Sequence, residues 1–175
     1  MIGIIIIGIV ILYASGTFDE PAAVAVNKQA PDDHIHSGAD LNKVNEINAL
    51  EEEVKNNPKD LTKIAQLGHL LNDSGFYERA IEKYKMYLDI KPNDADILVD
   101  MGVCYFELKD YANAIPVMEK GISLNPKHQI GHFNLGIVNF SSGNEQKAIE
   151  YWKKCIELDP NSNIAQRAKE LLNNN

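Results

Sequence analysis

A period of 34 residues runs through the middle of the chain. Gly68, Gly102 and Gly136 fall one period apart. So do Ala80, Ala114 and Ala148, and Pro92, Pro126 and Pro160. Each of these glycines follows a large apolar residue, Leu67, Met101 or Leu135. A fixed period of this length constrains architecture more than any other pattern. One such unit cannot bury its apolar face alone and must stack on its neighbours.

Each unit reads as two helices. In the first, Ile64, Leu67, Gly68 and Leu71 recur at the spacing of one helix face. A turn follows at Asp73-Ser74-Gly75, then a second helix from about Tyr77 to Ile90 carries Ala80, Ile81, Tyr84, Tyr87 and Leu88. It ends ahead of Pro92, because the residue before proline is disfavoured in the α region. Gly68 and Ala80 lack bulk, so the paired helices approach closely and Tyr84 fills the space beside them. Three units follow, over 61–94, 95–128 and 129–162. The middle unit departs at two points. Lys109 stands where Gly75 and Gly143 stand, which predicts a left-handed residue costing about 1–2 kcal/mol. Pro116 lies inside the second helix and removes a backbone donor. The third unit is the least regular, with His132 and Asn139 at places where the other units carry large apolar or aromatic side chains.

Glycine, alanine and proline in phase, with Tyr84, Met118 and Trp152 as the large residue of each second helix, resemble the tetratricopeptide repeat (TPR) family. The resemblance covers about 100 of the 175 residues. It implies an all-α fold, a right-handed α-α superhelix in which hairpins stack as a solenoid. Tyr87, Gly121 and Cys155 depart from the alanine usual at their place.

The flanks are read from residues alone. The stretch 1–18 is apolar from Met1 to Tyr13 and fades through Ala14-Ser15-Gly16 to Phe18. About seventeen helical residues reach about 25 Å, marginal for a hydrocarbon core of about 30 Å. No Lys or Arg precedes it. A retained signal-anchor is expected, with a cleaved signal peptide or a segment packed on protein as alternatives. With Lys28 the first cation after the stretch, the repeats are expected outside the cytoplasm, on a bacterial periplasmic face. Residues 19–39 read as a flexible tether. His34 and His36 within it lack the further ligands of a structural zinc site, so no metal is expected. Residues 40–57 form a half repeat in phase with the units, since Asn57-Pro58 precedes Pro92 by the same 34 residues. Val44, Ile47, Leu50 and Val54 lie in its stripe, and Glu51-Glu52-Glu53 reads as a solvated face. Residues 163–175 form a capping helix whose stripe is Ile164, Ala165, Ala168, Leu171 and Leu172. Arg167, Lys169 and Glu170 are expected to face water.

Composition narrows function. A formal net charge of −8 argues against a nucleic-acid footprint. Cys104 and Cys155 form neither a disulfide framework nor a metal-spaced cluster and read as buried thiols. The chain shows no nucleophile–base pair, phosphate-cradling loop or paired catalytic carboxylates, so neither an enzyme, a cofactor nor a small-molecule substrate is expected. The apolar residues carry the functional signal. Val99, Val103 and Phe106 recur at helical spacing beside the core stripe, as do Phe133, Ile137 and Phe140. A helix apolar on two sides is buried on both or binds something.

The family resemblance places these residues in a concave groove, with His69, Asn72 and Glu107 fixing orientation. It implies a protein or peptide client with Phe106, Phe133 and Phe140 as anchors. Some members of the family clamp a terminal carboxylate with lysine and asparagine. Here Ala65, Val99 and Phe133, then Asp73, Glu107 and Ser141, stand at those places, so such a clamp is not expected. The overall plan is similar to membrane-anchored bacterial TPR proteins, including repeat domains of cytochrome c maturation systems, and implies assembly of an envelope complex. The alternative is a self-associating scaffold or an accessory subunit of a membrane complex.

Overall fold

The computed structural model describes residues 41–174. The apolar stretch 1–18, the tether 19–39 with His34 and His36, and Asp40 lie outside the described residues. Eight helices are described: α1 (Leu41–Asn56), α2 (Leu61–Asp73), α3 (Tyr77–Ile90), α4 (Ala95–Glu107), α5 (Tyr111–Leu124), α6 (Gln129–Ser141), α7 (Glu145–Leu158) and α8 (Asn163–Asn173). Among the described residues none is long and apolar enough to cross a membrane.

The starts and stops are local chemistry. Asp60, Asp94 and Asp110 each accept a backbone N–H from the first turn of the helix that follows, and Ser162 does the same for α8. Such a cap is typically worth about 1 kcal/mol. His128 takes this place at α6, its Nδ1 accepting the Gly131 N–H at 2.9 Å. The turns inside the hairpins need a left-handed residue. Gly75 and Gly143 adopt it at φ 81° and 85°, and Lys109 adopts it at φ 61°. α5 continues through Pro116 to Leu124.

Packing follows the small residues. A Cβ on Gly68 would stand 2.7 Å from Tyr84 Cε1, and on Gly136 it would overlap the Trp152 indole. These glycines are therefore requirements of helix approach, not of backbone conformation. α2 pairs with α3, α4 with α5 and α6 with α7, and each hairpin packs on the next. In addition the backbones of α2 and α4, α4 and α6, and α6 and α8 come close, whereas those of α3, α5 and α7 stand farther apart, α5 and α7 meeting through the Tyr151 hydroxyl, which donates to Glu119 Oε1 at 2.9 Å. α2, α4, α6 and α8 are thus an inner row, closer together than the outer row, and the stack curves around them.

The ends are covered by half repeats, because terminal units cannot bury their outer faces alone. Ile47, Leu50 and Val54 of α1 join Ile64, Leu67, Ile81 and Tyr84 in one core. Ala168 of α8 joins Phe133, Ala148, Trp152 and Cys155 in another, with Ile164, Leu171 and Leu172 packed against it. Glu51-Glu52-Glu53 is more than a solvated face. Glu51 accepts from Arg79 at 2.9 Å and Glu53 pairs with Lys63 at 2.8 Å, so two of the three tie α1 to the first hairpin. Gln129 makes the matching tie at the other end. Its Nε2 lies 2.8 Å from Cys155 O, 3.0 Å from Asp159 O and 2.8 Å from Ser162 Oγ.

Candidate peptide-binding groove

The inner row leaves an open cavity of about 380 Å³ between α4, α6 and α8. Its walls are Val103, Phe106 and Glu107 from α4 and Ile130, Phe133, Asn134 and Ile137 from α6. α8 contributes Ile164 and Arg167, and Met118 of α5 forms part of the floor. The sequence produces this wall directly. Ile130, Asn134 and Ile137 recur at helical spacing on α6, and Val103, Phe106 and Glu107 on the last turns of α4.

The residues expected in the groove divide into three sets. Val103, Phe106, Glu107, Phe133 and Ile137 share the cavity. Phe133 forms its base, only 4% exposed, with the Arg167 guanidinium 5.1 Å above its ring. The second set is displaced. Val99 is 1% exposed, and its Cγ2 lies 3.0 Å from where a Cβ on Gly121 would stand. The missing side chain of Gly121 draws α5 onto this part of α4, so Val99 is wedged between layers and is not a groove residue. Phe140 is 38% exposed and tilts against Trp152 at 5.7 Å between ring centroids, outside the cavity lining. The third set lies toward the first hairpin. His69 Nδ1 is 3.0 Å from the Tyr84 hydroxyl and 3.3 Å from Asp100 Oδ2. Asn72 Oδ1 accepts the Cys104 thiol at 3.4 Å.

Met118, Asn134, Ile164 and Arg167 line the cavity without being expected there, and Asp100 stands beside it unforeseen. Arg167 sits on the polar side of α8 but reaches over Phe133 into the cavity. Its long aliphatic stem lets it cover apolar surface while its head stays in water. Asp100, beside the core stripe of α4, faces His69. Burial and two neighbouring carboxylates, Asp96 and Asp73, raise its carboxyl above the usual range, opposed by His69 and His128. His128 Nδ1 accepts the Gly131 N–H, so its proton is on Nε2, which donates to Asp96 Oδ1 at 2.9 Å.

Elsewhere the titratable groups are structural. Burial pushes the Cys104 thiol up to about 12 and the Cys155 thiol up to about 11, which keeps both protonated and unreactive. His132 is buried, with Nε2 3.0 Å from Pro126 O, and desolvation lowers its pKa. Among the described residues, no group of three or more His, Cys, Asp or Glu side chains is placed to hold a metal ion.

Stacked helical hairpins, an inner row of first helices and a cavity on that row define an α-solenoid interaction scaffold. Residues 130–162 and 95–128 each match a tetratricopeptide repeat family model, and the chain belongs to the tetratricopeptide repeat family. Similar curated proteins include small glutamine-rich tetratricopeptide repeat-containing protein 2 of Saccharomyces cerevisiae, 29% identical over 83 residues. BBSome complex member BBS4 of Mus musculus is 30% identical over 103 residues. The matched stretches are 47% and 59% of this chain but only 24% and 20% of those proteins. Among solved structures, the crystal structure of MamA superposes with a TM-score of 0.66 at 25% identity, covering 74% of this chain and 78% of that one. The first TPR of Spaghetti (RPAP3), bound to an HSP90 peptide, shares the fold with a TM-score of 0.58 at 20% identity over 65% of this chain and 94% of that one.

Proposed function

We propose that this protein is a non-enzymatic interaction module that binds a peptide segment of a protein client on its inner row. The observation that carries this reading is the apolar cavity walled by Val103, Phe106, Ile130 and Ile137, which sits on the family's usual contact surface. Ile130 is 52% exposed at its edge, a large apolar side chain left in water on a surface otherwise rich in charge. The 1–18 stretch would tether the module to a membrane with the repeats outside the cytoplasm. Its role there would be to assist assembly of an envelope protein complex. Supporting this are the run Ile4 to Ile7 with Ile9 to Leu12 and the polar tether that follows.

The test must spare the core. Phe133 is too buried for a clean substitution, so Phe106→Ala with Ile137→Ala is the better pair. Affinity capture from membrane extracts is expected to lose its specific proteins with this variant while the helical circular dichroism stays unchanged. Capture that ignores both substitutions would refute the groove. A reporter that is active only outside the cytoplasm, fused after Asn175, tests the topology.

A self-associating scaffold is the second reading, favoured by Ile130 and Phe140 lying exposed on the same helix. Light scattering on the full chain decides between the two. A stable dimer broken by Ile130→Lys would favour the scaffold.

A further inference from the structure

One face of α4 carries both the cavity wall and a row of carboxylates. Asp96, Asp100, Val103 and Glu107 follow one another at intervals of four, three and four residues, a single helical stripe. Asp100 is about 4.5 Å of helix rise from Val103, and Asp96 about 10 Å. Asp73 and His69 of α2 and His128 at the start of α6 flank the same stripe. The strongest charges acting on Asp100 are two imidazoles and two further carboxylates, none of them a lysine or arginine. Asp96 pairs with His128 yet keeps 79% of its side chain exposed. The fixed cations nearest the cavity stand at its other margins. Arg167 lies over Phe133, and Lys109 lies over Phe106 at 5.2 Å. The groove is therefore apolar along α6, carries Arg167 at its α8 margin and is anionic toward α2.

We propose that its occupant is a basic-apolar segment of a partner protein: an apolar side chain enters between Val103, Phe133 and Ile137, and an adjacent lysine or arginine settles on Asp96 and Asp100. This rests on the groove reading above and specifies its ligand. An extended chain advances about 3.3 Å per residue, so the cation belongs within about three residues of the apolar anchor. Charge complementarity argues against the chain's own tether, which brings Asp19, Glu20, Asp32 and Asp33 against Lys28 alone. An acidic terminal peptide is equally disfavoured, because Asp73, Asp96, Asp100 and Glu107 repel it. The state of Asp100 agrees with this occupant. Burial first, and the Asp96 and Asp73 carboxylates after it, disfavour its charged form, a cost that an arriving partner cation offsets.

The experiment selects dodecapeptides from a random displayed library on the immobilised full chain, then measures individual peptides by fluorescence anisotropy. The expected peptides carry Lys or Arg within three residues of a large apolar side chain. Asp96→Asn with Asp100→Asn is expected to weaken them about tenfold, and raising salt from about 0.05 to 0.5 M to weaken them further. Glu78→Gln, on the exposed side of α3, controls for net charge and should leave affinity unchanged. Neutral or acidic selected peptides, or affinity indifferent to the double Asn variant, overturn the proposal while leaving the groove standing. Peptides indifferent to Phe106→Ala with Ile137→Ala, or a library that yields no binder because a second copy closes the cavity, overturn both.

Discussion

Single residues decide how closely the hairpins can stack. Gly136→Ala would drive a methyl into the rigid Trp152 indole, and Gly68→Ala into Tyr84. Gly102→Ala would bring a methyl into overlap with Met118 Cγ, an atom one bond from that residue's Cβ that cannot swing clear as the tip of the chain can. Overpacking of this kind costs about 1–3 kcal/mol, and urea unfolding should rank Gly136→Ala as the most damaging of the three. Asn139 is the opposite case. It is fully buried, its Nδ2 donates to Leu135 O at 2.8 Å, and its Oδ1 has no protein partner. Leu71 stands at the same place in the first unit. Asn139→Leu should therefore stabilise by about 1–2 kcal/mol, since an unpaired buried acceptor is costly. Asp100 carries a pH-dependent cost. Its folded pKa is raised above 3.8, so the folded state disfavours the ionised form at neutral pH. Asp100→Asn should raise the melting temperature at pH 7. That gain should disappear as pH falls through the raised folded value and below 3.8, where the wild-type carboxyl is protonated in both states.

At the scale of elements, α8 both caps and builds. Its Ala165 and Ala168 are fully buried, while Ile164 and Arg167 form the end wall of the cavity. Deleting residues 163–175 should expose the Trp152 and Cys155 side of α7 and destabilise by several kcal/mol, on the order of 3, on thermal melting. The same deletion should weaken any groove peptide even at temperatures where the remainder stays folded, because one wall is gone. The turn between α4 and α5 holds the other irregularity. Lys109 bears a left-handed conformation that glycine adopts freely, and Lys109→Gly should stabilise by about 0.5–1 kcal/mol, less whatever its ammonium gains over Phe106.

At the scale of the described solenoid, contacts run from each hairpin to its neighbours, so stability is a sum of local terms. The first core gathers α1 to α4 around Ile64, Leu67, Leu71 and Tyr84. The last core is smaller, and its unit holds the unpartnered Asn139 Oδ1, His132 Nδ1 and Trp152 Nε1. Native-state hydrogen exchange should show α6 to α8 opening at lower free energy than α2 to α4. Binding at the cavity should close that difference, because its walls bridge α4, α6 and α8.

The sequence by itself determined the repeat, its phase and the hairpin turns. Those follow from rules local in the chain, namely 3.6-residue periodicity, proline stops and the left-handed residue that Lys109 had to supply. It also marked Val103, Phe106, Phe133 and Ile137 as a second apolar face. Helical spacing alone says which residues share a face, not what covers it. Only the tertiary structure decided that Val99 is sealed by the approach of Gly121, that Phe140 turns to Trp152, that Arg167 joins the groove and that Asp100 meets His69. Each of those outcomes depends on how far apart two helices stand, a distance set by side chains remote in sequence.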